Sequence, residues 1–419
     1  LKEESWNKQW PDTGKGMRGL ITLLILAGVF FPQECLWAGG QTNVLAEADR
    51  LIRERKYAAA FRLLDEKDSD NNDLALFEKK IHLAMNYSAA TVMHQSFTFI
   101  DLNSGQTLDD YLVDPENFTV YNAYDFQINR ILQRRIEKTP SDDRPYRLLA
   151  DFYFSVYQIY RDKWFMQSAE LFDRIDELYR KADIIKPLDI SSLEKCAMVL
   201  VFKKKNREAI KLYRRIISQA PEYGNGNYGL AQASYMTGDF DVSLEYARRA
   251  IETFSVPYNK SDAALLAGLS CESLDKKNEA LMYYRKSRDF GRIDFFNAQK
   301  IFSLSLVLED EDAWMKEGGA LLALDVYNIE YYYEMINIFR TAGKLSLFEK
   351  FFDHFASTYE KDIRVCANVL LCRAVFYQNF VADREKSSAL YKKALIQFKR
   401  IFPPDHEVIR MIQRELKRN

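Results

Sequence analysis

Gly224, Gly226 and Gly229 spell GxGxxG, a pattern whose missing side chains let backbone approach a pyrophosphate at a helix N-terminus. That chemistry needs a β-strand just before the glycines. Here Pro221 and a helical pattern precede them, so the spacing predicts a loose turn between helices instead of a nucleotide cradle. Asp109, Asp110 and Asp114 evoke the aspartate cluster that holds magnesium in all-helical prenyl-diphosphate enzymes, but the spacing is one residue too long and Pro115 follows at once. A solvated acidic loop is expected. Asp68, Asp70 and Asn72 open like a calcium loop, yet the sixth position is Asp73 where glycine is needed and the twelfth is Lys79 where Glu is needed. That pattern predicts a turn ending a helix. His82, His94, His354 and His406 show no HExxH spacing and no evident acidic partner. The sequence therefore offers no catalytic residues, no cofactor and no metal site.

Five cysteines remain to be placed. Cys35 is expected to leave with an N-terminal targeting segment, and Cys196 and Cys271 fall on first helices two repeats apart. Cys366 and Cys372 are six residues apart on one helix, about 9 Å of rise against a disulfide limit near 7 Å. Buried free thiols are expected at these four.

The elements that would position any such group follow from composition. The chain has 419 residues with 28 Phe, 25 Tyr and 5 Trp, so apolar material for a core is not limiting. Only 16 Gly and 10 Pro accompany 28% charged residues, which argues against a sandwich, a barrel or a disordered chain. Fifty-nine Lys plus Arg against 60 Asp plus Glu give a net charge of −1, so no broad field toward nucleic acid or an anionic bilayer is expected.

Residues 17–38 have the layout of a secretory signal peptide: Arg18, an apolar run at 20–31, Pro32, and a short polar stretch with cleavage expected after Ala38. The run is about 12 residues, short of the roughly 20 that span a bilayer. Leu36 is large for its position, so anchoring by an uncleaved 20–31 segment is the alternative. Residues 1–16 are polar and precede Met17, and they are expected not to belong to the native product. The rest then reads as one exported body, periplasmic or associated with the cell envelope.

A period of about 34 residues runs through the middle of the chain. Pro187 and Pro221 are 34 apart, as are Tyr179 and Tyr213. Small residues recur at Ala197, Ala231 and Gly268, and 12 positions later at Ala209, Ser243 and Ala280. Paired antiparallel helices approach closely only where side chains are small, and Tyr213, Tyr246 and Tyr284 are expected to fill the gaps beside those contacts.

Residues 227–254, NYGLAQASYMTGDFDVSLEYARRAIETF, carry the Leu-Ala pair, the Gly-Asp-Phe turn and the small residue of the second helix, and here the chain resembles the tetratricopeptide repeat (TPR) family. Residues 192–221 and 263–287 match less fully, the latter lacking the turn glycine. The resemblance implies an all-α, right-handed α-solenoid of helix pairs; residues 96–124 do not fit it, and their alternation of apolar and polar residues around Asn103-Ser104-Gly105 predicts an inserted loop or short hairpin. Expected parts are degenerate repeats at 43–140, core repeats at 141–290, divergent repeats at 291–403 and a capping helix at 405–419. A lengthened helix from Arg144 has two apolar stripes and is read as core.

In such proteins the first helices line a concave groove for an extended peptide or partner helix. Carried over by position, the partner-binding residues would be Asn225, Tyr228, Gln232, Tyr235, Leu265, Leu269 and Glu272, with Asp262 beside them and Glu194, Met198 and Val201 in the preceding repeat. The Lys, Asn and Arg of a carboxylate clamp are missing. The implied function is a non-enzymatic exported scaffold that holds a protein or peptide, the expected partners being other envelope proteins and not nucleic acid. The alternatives are a structural subunit of an outer-membrane assembly or transport complex, and an all-helical enzyme of α/α toroid type.

Overall fold

Asp and Asn side chains set where many of the helices begin. Asp73, Asp142, Asp189, Asp294, Asp310, Asn328, Asp362 and Asp383 each accept hydrogen bonds from free backbone N–H groups of the first turn that follows. In a computed structural model the described residues are 42–108 and 123–418. They belong to two compact units that divide between Pro221 and Glu222. The expectations for residues 1–16, for the signal segment at 17–38 with its apolar run at 20–31, and for Asp109, Asp110 and Asp114 lie outside the described residues.

The first unit runs α1 (Thr42–Arg53), α2 (Tyr57–Lys67), α3 (Leu74–Tyr87), β1 (Ala90–Val92), β2 (Ser96–Thr98), β3 (Tyr124–Asp125), α4 (Ile128–Lys138), α5 (Asp143–Tyr160), α6 (Ser168–Ile185), α7 (Ile190–Phe202) and α8 (Asn206–Gln219). The second holds α9 (Gly224–Thr237), α10 (Phe240–Thr253), α11 (Pro257–Ser273), α12 (Lys277–Asp289), α13 (Phe295–Leu308), α14 (Glu311–Ala323), α15 (Ile329–Thr341), α16 (Phe348–Thr358), α17 (Ile363–Phe376), α18 (Arg384–Phe398) and α19 (Glu407–Arg418). In the second unit α9 packs on α10, α11 on α12, α13 on α14 and α17 on α18, and first helices also touch first helices, as α9 does α11 and α15 does α17. The fold is thus all-α, built from stacked TPR-like helix pairs.

The small positions lie where close approach demands them. Ala197, Ala231, Ala209, Ser243 and Ala280 are fully buried, and a Cβ on Gly268 would sit 2.6 Å from the Tyr284 ring. Tyr213 and Tyr284 fill the core beside them, but Tyr246 does not. The position in register is Ala247, which is buried, while Tyr246 lies half-exposed with the Arg249 guanidinium 4.7 Å from its ring. The turn inside successive pairs uses a left-handed residue at Lys204, Gly238 and Asp275, spaced 34 and 37, so the unit without the turn glycine keeps its turn conformation.

The short sheet is a three-stranded antiparallel meander, β1-β2-β3, and it starts six residues earlier than the 96–124 segment expected from sequence. It is also integral to the core. Phe97 and Phe99 are buried among Phe61 and Phe126, with the Phe61 and Phe99 rings stacked at 4.4 Å. Asp101 accepts from the backbone N–H groups of Ala58 and Ala59 and so caps α2, whose own preceding residue Lys56 has no acceptor. The two stripes of α5 are largely buried, as Tyr146, Leu149, Tyr153, Phe152 and Val156 show, although Ile159 faces solvent.

Candidate functional site

The seven residues expected to bind a partner sit on two neighbouring first helices, Asn225, Tyr228, Gln232 and Tyr235 on α9, and Leu265, Leu269 and Glu272 on α11. Four reach solvent: Asn225 is exposed, and Tyr235, Leu269 and Glu272 are half-buried. Tyr228, Gln232 and Leu265 are buried, which corrects their placement on an open surface. The cause is local packing. Gly224 has no side chain, so the Phe254 ring closes over the start of α9 and the Tyr228 ring lies 6.1 Å from it. Burial drives the Tyr228 hydroxyl far above its ordinary pKa, so it stays neutral. Leu265 lies in an unbroken buried run on α11 from Ala263 to Gly268.

Around the remaining four, polar links join one first helix to the next. Glu272 accepts from the Tyr284 hydroxyl at 2.6 Å and pairs with Lys300 of α13 at 2.9 Å. Gln299 of α13 donates to Glu334 of α15 at 2.6 Å, and Asn337 donates to the other Glu334 oxygen at 3.2 Å. Burial holds the Glu334 carboxyl above the usual range, against those two hydrogen bonds. Gln299, Lys300, Glu334 and Asn337 were missed from sequence. Their signal was the spacing of 35 between Gln299 and Glu334, hidden because the repeat motif has no distinctive letter there. Asp262 is taken by an ion pair with Arg292, which also holds Asp294 at 2.7 Å. Met198 and Val201 are half-buried on α7 of the first unit.

The chemical motifs resolve into packing. Gly224, Gly226 and Gly229 lie inside α9, in its first two turns, and form no loose turn between helices. At the calcium-like loop the Asp68 carboxylate accepts from the N–H groups of Asn72 and Asp73, and a protein cation occupies the centre. Lys80 is 0% exposed, and its ammonium donates to Asp65, the Asp68 carbonyl and Asn71 at 2.6–3.0 Å. Burial lowers the pKa of both His82 and His94. Among the described residues no group of three or more His, Cys, Asp or Glu is placed to hold a metal. Cys196, Cys271, Cys366 and Cys372 are free, and burial pushes the Cys196 thiol up to about 12 and Cys271 to about 11, which keeps both protonated. An open depression of about 390 Å³ lies between α14 and α16, floored by Met315, Phe351 and Phe355. It is on second helices and touches none of the seven expected residues.

No family model matches the chain, and no curated protein matches it. Solved structures do. YrrB, described as a TPR protein with an unusual peptide-binding site, is 16% identical over 49% of this chain and 97% of its own, with a TM-score of 0.39. PilF of Pseudomonas aeruginosa is 20% identical over 50% of this chain and 87% of its own, at 0.38. A tetratricopeptide repeat protein of Parabacteroides merdae is 14% identical over 70% of this chain and 100% of its own, at 0.37. Among the described residues no helix is long and apolar enough to cross a membrane.

Proposed function

We propose that this chain is a non-enzymatic scaffold that holds a protein or peptide partner on the first-helix face of its second unit. The observation that carries this reading is the run of polar links from α11 through α13 to α15, beside the half-exposed Tyr235 and Leu269. Such a surface offers fixed hydrogen-bonding groups next to apolar anchors, the combination used to hold an extended peptide or a helix. The contact residues are Asn225, Tyr235, Leu269 and Glu272, joined by Lys300 and Glu334. Tyr228, Gln232 and Leu265 act beneath them as packing.

The scaffold is exported, with processing after Ala38, and its partner is another envelope protein. The repeats divide into arrays at 43–140, 141–290 and 291–403, capped by 405–419. Aromatic anchors often contribute about 2 kcal/mol or more to an interface. Tyr235→Ala combined with Leu269→Ala is therefore expected to weaken capture of the partner at least about tenfold while costing no more than about 2 kcal/mol of stability, so that the chain stays folded. Loss of capture only with variants at the depression between α14 and α16 would place the binding surface on the second helices and overturn this reading.

A further inference from the structure

On the earlier second helices of the second unit several cations meet carboxylates, Arg248 with Glu279, Arg249 with Glu245, Arg288 with Glu317 and Lys350 with Glu311, and the exposed Lys286 and Lys316 stand singly. The last second helix differs in clustering its unpaired cations. Lys392 and Lys393 on α18 and Lys399 and Arg400 in the turn just after it are all exposed, and among the described residues none meets a carboxylate; Arg400 reaches only the Gln397 side chain. Together with Ile396 they follow one another at helical spacing, opposite the buried Tyr391, Ala394 and Phe398. Ile396 is 62% exposed amid these cations, and Ile401 emerges just beyond the helix end. From Arg384 to Arg418 ten Lys and Arg accompany four Asp and Glu, a local net charge of +6 in a chain whose total is −1.

Folding does not need this face. The core beneath α18 is closed by its opposite side and by Ile409 and Ile412 of the terminal helix α19. Like charges close together on one exposed helix repel, and an exposed isoleucine between them has nothing to pack on. A surface of anionic headgroups over an acyl layer satisfies both features at once: the ammonium and guanidinium groups stand at phosphates while their stems and the isoleucine side chain enter the apolar boundary. A nucleic-acid backbone would attract the cations but make no use of the isoleucines. We propose that the outer face of α18 docks on an anionic lipid bilayer surface, independently of the partner held on the first helices.

The test is co-sedimentation of the full chain with vesicles of phosphatidylcholine, with or without phosphatidylglycerol. Binding to phosphatidylcholine alone measures any contribution of the N-terminal apolar run and is subtracted. The excess on phosphatidylglycerol is expected to fall about tenfold or more in Lys392→Glu/Lys393→Glu/Lys399→Glu/Arg400→Glu, and likewise when salt is raised. Ile396→Ser is expected to reduce it without changing its salt dependence. The milder Lys392→Gln/Lys393→Gln, checked by circular dichroism, is expected to lower the excess severalfold and replaces the fourfold variant if that one does not fold. Unchanged binding in a folded variant overturns the proposal, and so does binding that polyglutamate or duplex DNA removes with Ile396→Ser behaving as wild type.

Discussion

Protonating His94 is opposed by its surroundings. It sits in the tight turn between β1 and β2, 2% exposed, with Nδ1 3.2 Å from the Tyr160 hydroxyl and 3.4 Å from that of Thr91, and with Nε2 buried and unpaired. Burial takes its pKa from 6.5 down to about 4. Because the folded value lies below the unfolded one, the stability tied to neutral His94 is complete above about pH 6.5 and is lost as pH falls through about 4, on the order of 3 kcal/mol in total. Chemical denaturation across that window should show the loss in the wild type and much less of it in His94→Asn, which keeps a residue tolerant of the left-handed backbone there (φ 57°). An unchanged loss would mean that other groups set the acid limit. Tyr228 and Tyr235 make the complementary case. They are two helical turns apart, so their sequence spacing puts them on one face, but α9 is buried from Gly226 to Ser234 on every side. A helix without an exposed stripe gives periodicity nothing to report, which is why the sequence could not separate core from surface there. Tyr228→Ala should cost about 3 kcal/mol and Tyr235→Ala less than about 1, read from denaturation midpoints.

At the scale of elements, the helix pairs were legible because close helix contact leaves its mark in residue size. Ala197 and Ala231 are fully buried, and a Cβ on Gly268 would strike the Tyr284 ring of the partner helix, so small residues mark the period. Gly318 shows the same constraint outside the recognised repeats: a Cβ there would lie 2.6 Å from the Phe351 ring and 2.8 Å from that of Phe302. Gly318→Ala is expected to destabilise by about 1–3 kcal/mol, because two rings belonging to different helices must move. Turn conformation was less legible. Only Gly238 announces a left-handed residue, yet Lys204 and Asp275 adopt the same backbone. Lys204→Gly should stabilise by up to about 1 kcal/mol, and a fall in the unfolding midpoint would show that the lysine side chain matters more than its backbone. The sheet was misplaced for a different reason: β1 follows α3 after two residues and is only three residues long, too short for alternation to stand out from the end of a helix.

For the molecule as a whole, averaged quantities concealed what matters locally. A net charge of −1 is the sum of a basic C-terminal stretch and an acidic remainder, and the unpaired cations on α18 and in the turn after it belong to that basic stretch. The proposed binding surface has the same character. It would be assembled from residues on successive first helices, Gln299 with Glu334 and Glu272 with Lys300, whose partnership depends on the stacking of those helices. The most direct measurement is site-specific photo-crosslinking in the producing cell, with a benzophenone side chain placed at Asn225, at Leu269 and, on the outer face of α10, at Glu245. A scaffold that binds through its first helices gives one common adduct from Asn225 and Leu269 and none from Glu245. An adduct from Glu245 alone, with the first-helix positions silent, would contradict it.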